Sequence, residues 1–157
     1  MNMLAYDPYI DRDSVPVVES RATLTTMDCV LADSDFVTCH LPGGQETRGI
    51  LDYGRFCQMR PSAYFVNVAR GEVVDEPGLV RALTEGKIAG AALDVRAVEP
   101  PGASALDRMD NVILMPHVAA FTREAQHRVV ASVYRDVEAV LAGRPATGYA
   151  NFPSPRR

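Results

Sequence analysis

Five apolar stretches of the chain each end at an ionisable side chain: Asp7 follows "MLAY", His40 closes "FVTCH", Arg70 follows "YFVNVA", Asp94 falls in "IAGAALDV" and His117 follows "NVILMP". Arg70 poses the sharpest chemical question. A guanidinium keeps its proton at physiological pH, so placing one at the mouth of a core strand is costly unless an anion meets it there. His117 and His40 can take or give a proton near neutral pH. Each of these residues also has a structural reading. Asp7 and Asp94 can cap turns, His40 can be a buried hydrogen-bonded histidine, and Arg70 can pair with Asp75 or Glu76. Their recurrence at strand ends favours a shared site.

The elements that must position them alternate. Strands are expected at residues 3 to 6, 36 to 40, 64 to 69, 88 to 95 and 111 to 116, from short β-branched and apolar runs bounded by turn residues. Between them lie the helical patterns "TTMDCVLADS", "DYGRFCQM" and "DEPGLVRALTEG", the last with Asp75 as expected cap and Gly86 as stop. Alternation of this kind predicts a parallel sheet covered on both faces, with ligands at the carboxyl ends of the strands. "TREAQHRVVASVYRDVEAVLAG" repeats apolar residues at Ala125, Val129, Val133, Val137 and Leu141. It predicts a long amphipathic helix capped by Thr122 and stopped by Gly143. "RPATGYANFPSPRR" then reads as a surface tail, so the expected division is residues 1–143 as one domain and 144–157 as tail.

The 157 residues suffice for one domain with its own core, and 47% hydrophobic with 23% charged residues is ordinary for a globular protein. A net charge of −4 gives no electrostatic pull toward nucleic acid or an anionic membrane. The longest apolar runs are too short to cross a bilayer and no secretory leader pattern opens the chain, so a cytoplasmic location is expected. Cys29, Cys39 and Cys57 are odd in number and form no C-x-x-C pair, which reads as reduced packing residues and no metal site.

Together, "AYDPY" (5 to 9), "SDFVTCHLP" with "ETRGIL" (34 to 51), "FVNVARGEVVDE" (65 to 76), "GKIAGAALDV" with "EPP" (86 to 101) and "NVILMPHVAAFTREA" (111 to 125) resemble the D-isomer-specific 2-hydroxyacid dehydrogenases. That family includes phosphoglycerate dehydrogenase and the C-terminal binding proteins. The resemblance implies a Rossmann-like α/β fold, a doubly wound parallel sheet, and hydride exchange between NAD(H) and a 2-hydroxy or 2-oxo acid. It implies that Arg70 holds the substrate carboxylate, that His117 is the acid/base and that Glu99, in "VEPP", is the carboxylate paired with it. It further implies that Asp7 accepts hydrogen bonds from the adenosine ribose, which favours NAD over NADP. His40, Leu41 and Thr47 would border the adenosine end. Val68, Ala69 and Arg70 would pass near the cofactor, Asp94 would meet the nicotinamide carboxamide, and His117, Ala119 and Ala120 would flank the nicotinamide ring. By its residues alone, Glu99 also reads as a solvated loop residue.

One departure from the family pattern stands out. A strand and a G-x-G-x-x-G loop precede the ribose-binding acid in such proteins, because amides at that helix terminus hold the pyrophosphate. The glycine pair here, Gly43 and Gly44 in "LPGGQETRG", reads as a turn. The expectation is a sheet truncated at its N-terminus, without its central strand, in a chain taken from the middle of a dehydrogenase. In the expected strand order the lost strand would lie between the "MLAY" and "YFVNVA" strands. The chain alone is expected either to self-associate, as a homodimer or through the exposed edges, or to leave residues 1 to 10 poorly packed, and it would be inactive. Two alternatives stay open: an NADH-sensing interaction protein of the C-terminal binding protein type, and an inactive remnant.

Overall fold

A computed structural model describes residues 1–11 and 13–147. The strands are β1 (Leu4–Ala5), β2 (Thr23–Leu24), β3 (Phe36–Cys39), β4 (Tyr64–Asn67), β5 (Gly90–Leu93) and β6 (Val112–Leu114). The helices are α1 (Val15–Ser20), α2 (Met27–Asp33), α3 (Tyr53–Phe56), α4 (Glu76–Thr84) and α5 (Arg123–Leu141). All strand pairs are parallel, and β3, β4, β5 and β6 form one sheet in that order. β1 and β2 form a separate two-stranded sheet. The chain divides into two compact units, residues 1–117 and 118–157.

The five expected strands are present, shorter by one to four residues than the apolar runs that suggested them. β2 and α1 were not foreseen. The order corrects one expectation: the "YFVNVA" segment is not an edge, since β4 pairs with β3 on one side and β5 on the other. The strand at that margin of the four-stranded sheet is β3.

One face of this sheet is sealed. Val37, Cys39, Phe65, Ala91 and Leu93 point into a core shared with Leu31 of α2, Phe56 of α3 and Leu79, Ala82 and Leu83 of α4, with the Phe56 and Phe65 rings edge to face at 5.2 Å. The opposite face does not match the expected two-sided cover. Phe36 is 71% exposed and Ile113 63% exposed, and Phe36 stacks on Tyr64 at 5.6 Å. The strands accordingly alternate buried and exposed residues.

Local chemistry explains the helix boundaries. Thr26, Asp52 and Thr122 accept hydrogen bonds from the Cys29, Arg55 and Ala125 amides and start α2, α3 and α5. Asp75 holds the N-cap position of α4 without a side-chain capping bond, against expectation; Pro77 in the first turn removes one of the amides it would cap. Gly143, at φ 72°, follows α5 in the left-handed conformation. Within α5 no side chain is buried.

The cysteines are all free, but only Cys39 is buried; Cys29 and Cys57 are exposed, so the packing role holds for Cys39 alone. Gly43 and Gly44 open a turn closed by the Arg48 amide on the Gly44 carbonyl at 2.9 Å. Among the described residues no helix is long and apolar enough to cross a membrane. The part of the expected tail from residue 148 onward lies outside the described residues.

Candidate active site at the carboxyl edge of the sheet

Parallel pairing brings the strand ends to one edge. Cys39 pairs with Asn67, Asn67 with Leu93, and Leu93 with Leu114. The residues one step further, His40, Val68, Asp94 and Met115, therefore line the same margin. The ladder continues past its last full pair: the Asp94 amide donates to Asn67 O at 2.9 Å, and the Met115 and His117 amides donate to Leu93 O and Asp94 O at 2.9 and 2.8 Å.

His117 follows the outermost strand of this edge, β6. Its φ of 57° lies in the left-handed region, which a residue other than glycine adopts only when its surroundings impose it. Its Nδ1 is hydrogen-bonded to Glu99 Oε2 at 2.8 Å. Glu99 Oε1 in turn accepts from the Arg96 amide at 3.0 Å. The hydrogen bond from His117, aided by that amide, holds the Glu99 carboxyl below its ordinary range. Both oxygens of Glu99 are thus engaged, which a solvated loop residue does not require.

Arg70 follows β4 through a tight turn built by Asn67. The Asn67 side chain is 1% exposed and accepts from the Ala69 amide at 3.0 Å while donating to Arg70 O at 3.1 Å. Arg70 itself is exposed and donates from Nη1 to Ala69 O at 2.7 Å. It forms no ion pair among the described residues, so neither Asp75 nor Glu76 neutralises it. Glu76 is bound elsewhere, to Arg96.

The other sequence-derived residues take varied places. Asp94 is 6% exposed at the end of β5. His40 is exposed rather than buried, with Nε2 at 3.0 Å from Thr38 Oγ1. Leu41 is half-buried and packs against the core, and Thr47 Oγ1 donates to Pro42 O at 2.6 Å. Val68 is exposed and Ala69 buried. Asp7 follows β1, in the separate two-stranded sheet, and its Oδ1 accepts from the Tyr9 amide at 2.9 Å, a turn-forming bond. Ala119 and Ala120 are exposed and belong to the second unit, in a turn closed by the Phe121 amide on Val118 O at 2.8 Å.

A cleft of about 350 Å³ opens beside the Glu99–His117 pair, lined by Asp94, Arg96, Glu99, Leu114, Met115 and His117 among others. Sequence reasoning missed Arg96, Glu76 and Asn67. Asn67 carries a signal in hindsight: an amide inside the apolar run "YFVNVA" must be hydrogen-bonded if buried, and the backbone turn at Arg70 supplies its partners.

Residues 1–119 match the family described as D-isomer specific 2-hydroxyacid dehydrogenase, NAD binding domain. The D-3-phosphoglycerate dehydrogenase of Synechocystis sp. is 40% identical over 153 residues, which cover 98% of this chain and 27% of that protein. The glyoxylate reductase of Thermofilum pendens is 41% identical over 153 residues, covering 96% of this chain and 44% of that protein. The crystal structure of D-lactate dehydrogenase with NAD+ from Lactobacillus jensenii superposes with a TM-score of 0.82 at 30% identity, over 96% of this chain and 48% of that one. The chain thus spans about a quarter to a half of the length of the proteins it matches. With a parallel sheet carrying its ionisable residues on the carboxyl edge and a sequence match over residues 1–119, the chain belongs to the D-isomer specific 2-hydroxyacid dehydrogenase family, within its NAD-binding domain.

Proposed function

We propose that this chain is the NAD(H)-binding part of an oxidoreductase that moves a hydride between the cofactor and a 2-hydroxy or 2-oxo acid. The observation that carries this reading is the Glu99–His117 hydrogen bond at 2.8 Å on the edge that also presents Arg70. Because Glu99 occupies Nδ1, the ring nitrogen left to meet a substrate oxygen is Nε2. The carboxylate fixes the ring's orientation and supports the charged imidazolium that proton donation requires.

The carboxyl edge fits a dinucleotide. Val68 and Ala69 offer a low, apolar approach, and Asp94 stands at the next strand end, where the nicotinamide carboxamide would lie. His40, Leu41 and Thr47 would border the adenosine end, with Asp7 toward the ribose hydroxyls, where its charge favours NAD over NADP. Ala119 and Ala120, small residues after His117, would flank the nicotinamide. The cofactor supplies or accepts the hydride. Arg70 binds the acid's carboxylate with two parallel donors and steers the reacting carbon. In reduction, the 2-oxo oxygen takes its proton from His117 Nε2 as its carbon gains the hydride; in oxidation, the same nitrogen receives the hydroxyl proton.

Residues 1–143 form the nucleotide-binding part in this reading, and residues from 144 onward a tail. The open sheet face, with Phe36, Tyr64 and Ile113, favours self-association, and the location is cytoplasmic. The test is NADH titration followed by turnover with a panel of 2-oxo acids, for the wild type and for Arg70→Lys in the dehydrogenase that carries this chain. NADH binding in both with turnover impaired in the variant supports the reading; equal turnover would remove Arg70 from the substrate site.

A further inference from the structure

The loop that carries Glu99 has no backbone ladder to hold it. Among the described residues, no backbone-to-backbone hydrogen bond involves residues 97 to 103, and Ala97 to Gly102 are exposed. Such a segment keeps many conformations unless side chains fix it, and a carboxylate on it would not stay within 2.8 Å of one histidine nitrogen unaided.

Two anchors reach this loop from the segment after β4. The first is Gly71. A side-chain carbon placed there would overlap the carbonyl of Arg96 and the amide of Ala97, so the two backbones touch only because residue 71 is glycine. The second is Glu76, at the start of α4. Its Oε1 accepts from Arg96 Nε at 3.0 Å and from the Ala97 amide at 2.7 Å, and its Oε2 accepts from Arg96 Nη2 at 2.9 Å. Arg96 Nη2 also donates to Ser104 Oγ at 3.1 Å, across the loop. The pair is sheltered: the side chains of Arg96 and Glu76 are 7% and 19% exposed.

We propose that the Glu76–Arg96 pair is a positioning device for the Glu99–His117 couple: Glu76 fixes the Arg96 side chain and the Ala97 amide, and thereby aims the Arg96 N–H at Glu99 Oε1 and Glu99 Oε2 at His117 Nδ1. The proposal rests on the reading of His117 as the proton-transfer group and goes beyond it. The same segment carries Arg70, so one short stretch, residues 70 to 76, holds both the group assigned to the substrate carboxylate and the clamp on the loop that orients the acid/base. Glu76 and Arg96 are positioning residues; neither touches the reacting atoms.

A structural staple would have the same geometry, so the test must separate the two. A buried ion pair replaced as a whole by apolar side chains commonly leaves stability intact, whereas removing one partner strands a buried charge. The variants are therefore Glu76→Gln, and the double substitution Glu76→Leu with Arg96→Met, which guards against a single variant that fails to fold. Thermal unfolding reports the fold. The carboxyl carbon titration of Glu99 by NMR, assigned with Glu99→Gln, reports the geometry directly, and kcat, KM and NADH affinity are measured for 2-oxo acid reduction by the dehydrogenase that carries this chain.

The expected result is a folded double variant in which Glu99 titrates at higher pH than in the wild type, as its hydrogen bonds from His117 and the Arg96 amide loosen. With it, kcat falls about tenfold while NADH affinity stays within about twofold. A folded double variant with wild-type Glu99 titration and wild-type kcat would overturn the proposal. A wild-type dehydrogenase carrying this chain that binds NADH yet reduces no 2-oxo acid would instead overturn the functional reading, and the Glu99 titration would still decide the clamp.

Discussion

At the scale of single residues, the site depends on which atoms are already engaged. Arg70 presents its guanidinium to solvent with only a backbone carbonyl as described partner, while the neighbouring Glu76 is bound to Arg96. Arg70→Lys keeps the charge but loses the planar fork, so kcat/KM for a 2-oxo acid is expected to fall about a hundredfold with NADH affinity retained, read from steady-state rates and fluorescence titration. Glu99→Gln removes the negative charge beside His117 and is expected to lower kcat for 2-oxo acid reduction more than it raises KM, because the imidazolium that must donate the proton loses the carboxylate that supports it and orients its ring. An unchanged kcat in that variant would return Glu99 to the solvated-loop reading. Arg70 and His117 could be singled out because each follows an apolar run, whereas Glu99 was named only through the family resemblance. Arg96 was not singled out, although it lies in the same "LDVRAVEPP" run, because its partner is twenty residues earlier in the chain and only the fold brings them together.

At the scale of elements, what could be read was whatever local pattern alone determines. The long apolar repeat, Thr122 and Gly143 defined α5, and β-branched runs marked five strands. β2 escaped because two residues carry no period, and strand ends escaped because pairing partners, not propensity, stop a ladder. The contact between the turn after β4 and the loop after β5 leads to two predictions. Gly71→Ala is expected to cost about 1 to 3 kcal/mol, seen as a lowered thermal midpoint, since the methyl has no space against the Arg96 carbonyl. The second concerns acid. Burial works to raise the Glu76 pKa, but hydrogen bonds from Arg96 and the Ala97 amide outweigh it and leave the carboxyl lowered. A lowered folded value means that the stabilisation is complete above the ordinary value of 4.5 and is lost as the pH falls through the folded value. Glu76→Gln is therefore expected to be less stable than the wild type near neutral pH and to lose less stability on acidification below 4.5, measured by thermal unfolding across that range.

At the scale of the whole molecule, the parallel architecture was legible from the alternation of strands and helices, but strand order was not. The pairing of β4 with both β3 and β5 moved the sheet margin to β3, and the open face with Phe36, Tyr64 and Ile113 was hidden because an apolar run looks the same whether one or two of its faces are covered. Those exposed apolar residues lead to the expectation that the 157-residue chain self-associates, with a light-scattering mass above the monomer's 17.1 kDa that falls toward it on dilution. A monomer at every concentration would count against self-association through this face. The central claim is that His117, oriented by Glu99, transfers the proton that accompanies hydride transfer. Its most direct test is the rate of NADH oxidation by 2-oxo acids in the dehydrogenase carrying this chain, compared between wild type and His117→Gln. The expected result is a loss of about a hundredfold or more in kcat with NADH binding intact; turnover by the variant at the wild-type rate would contradict the claim.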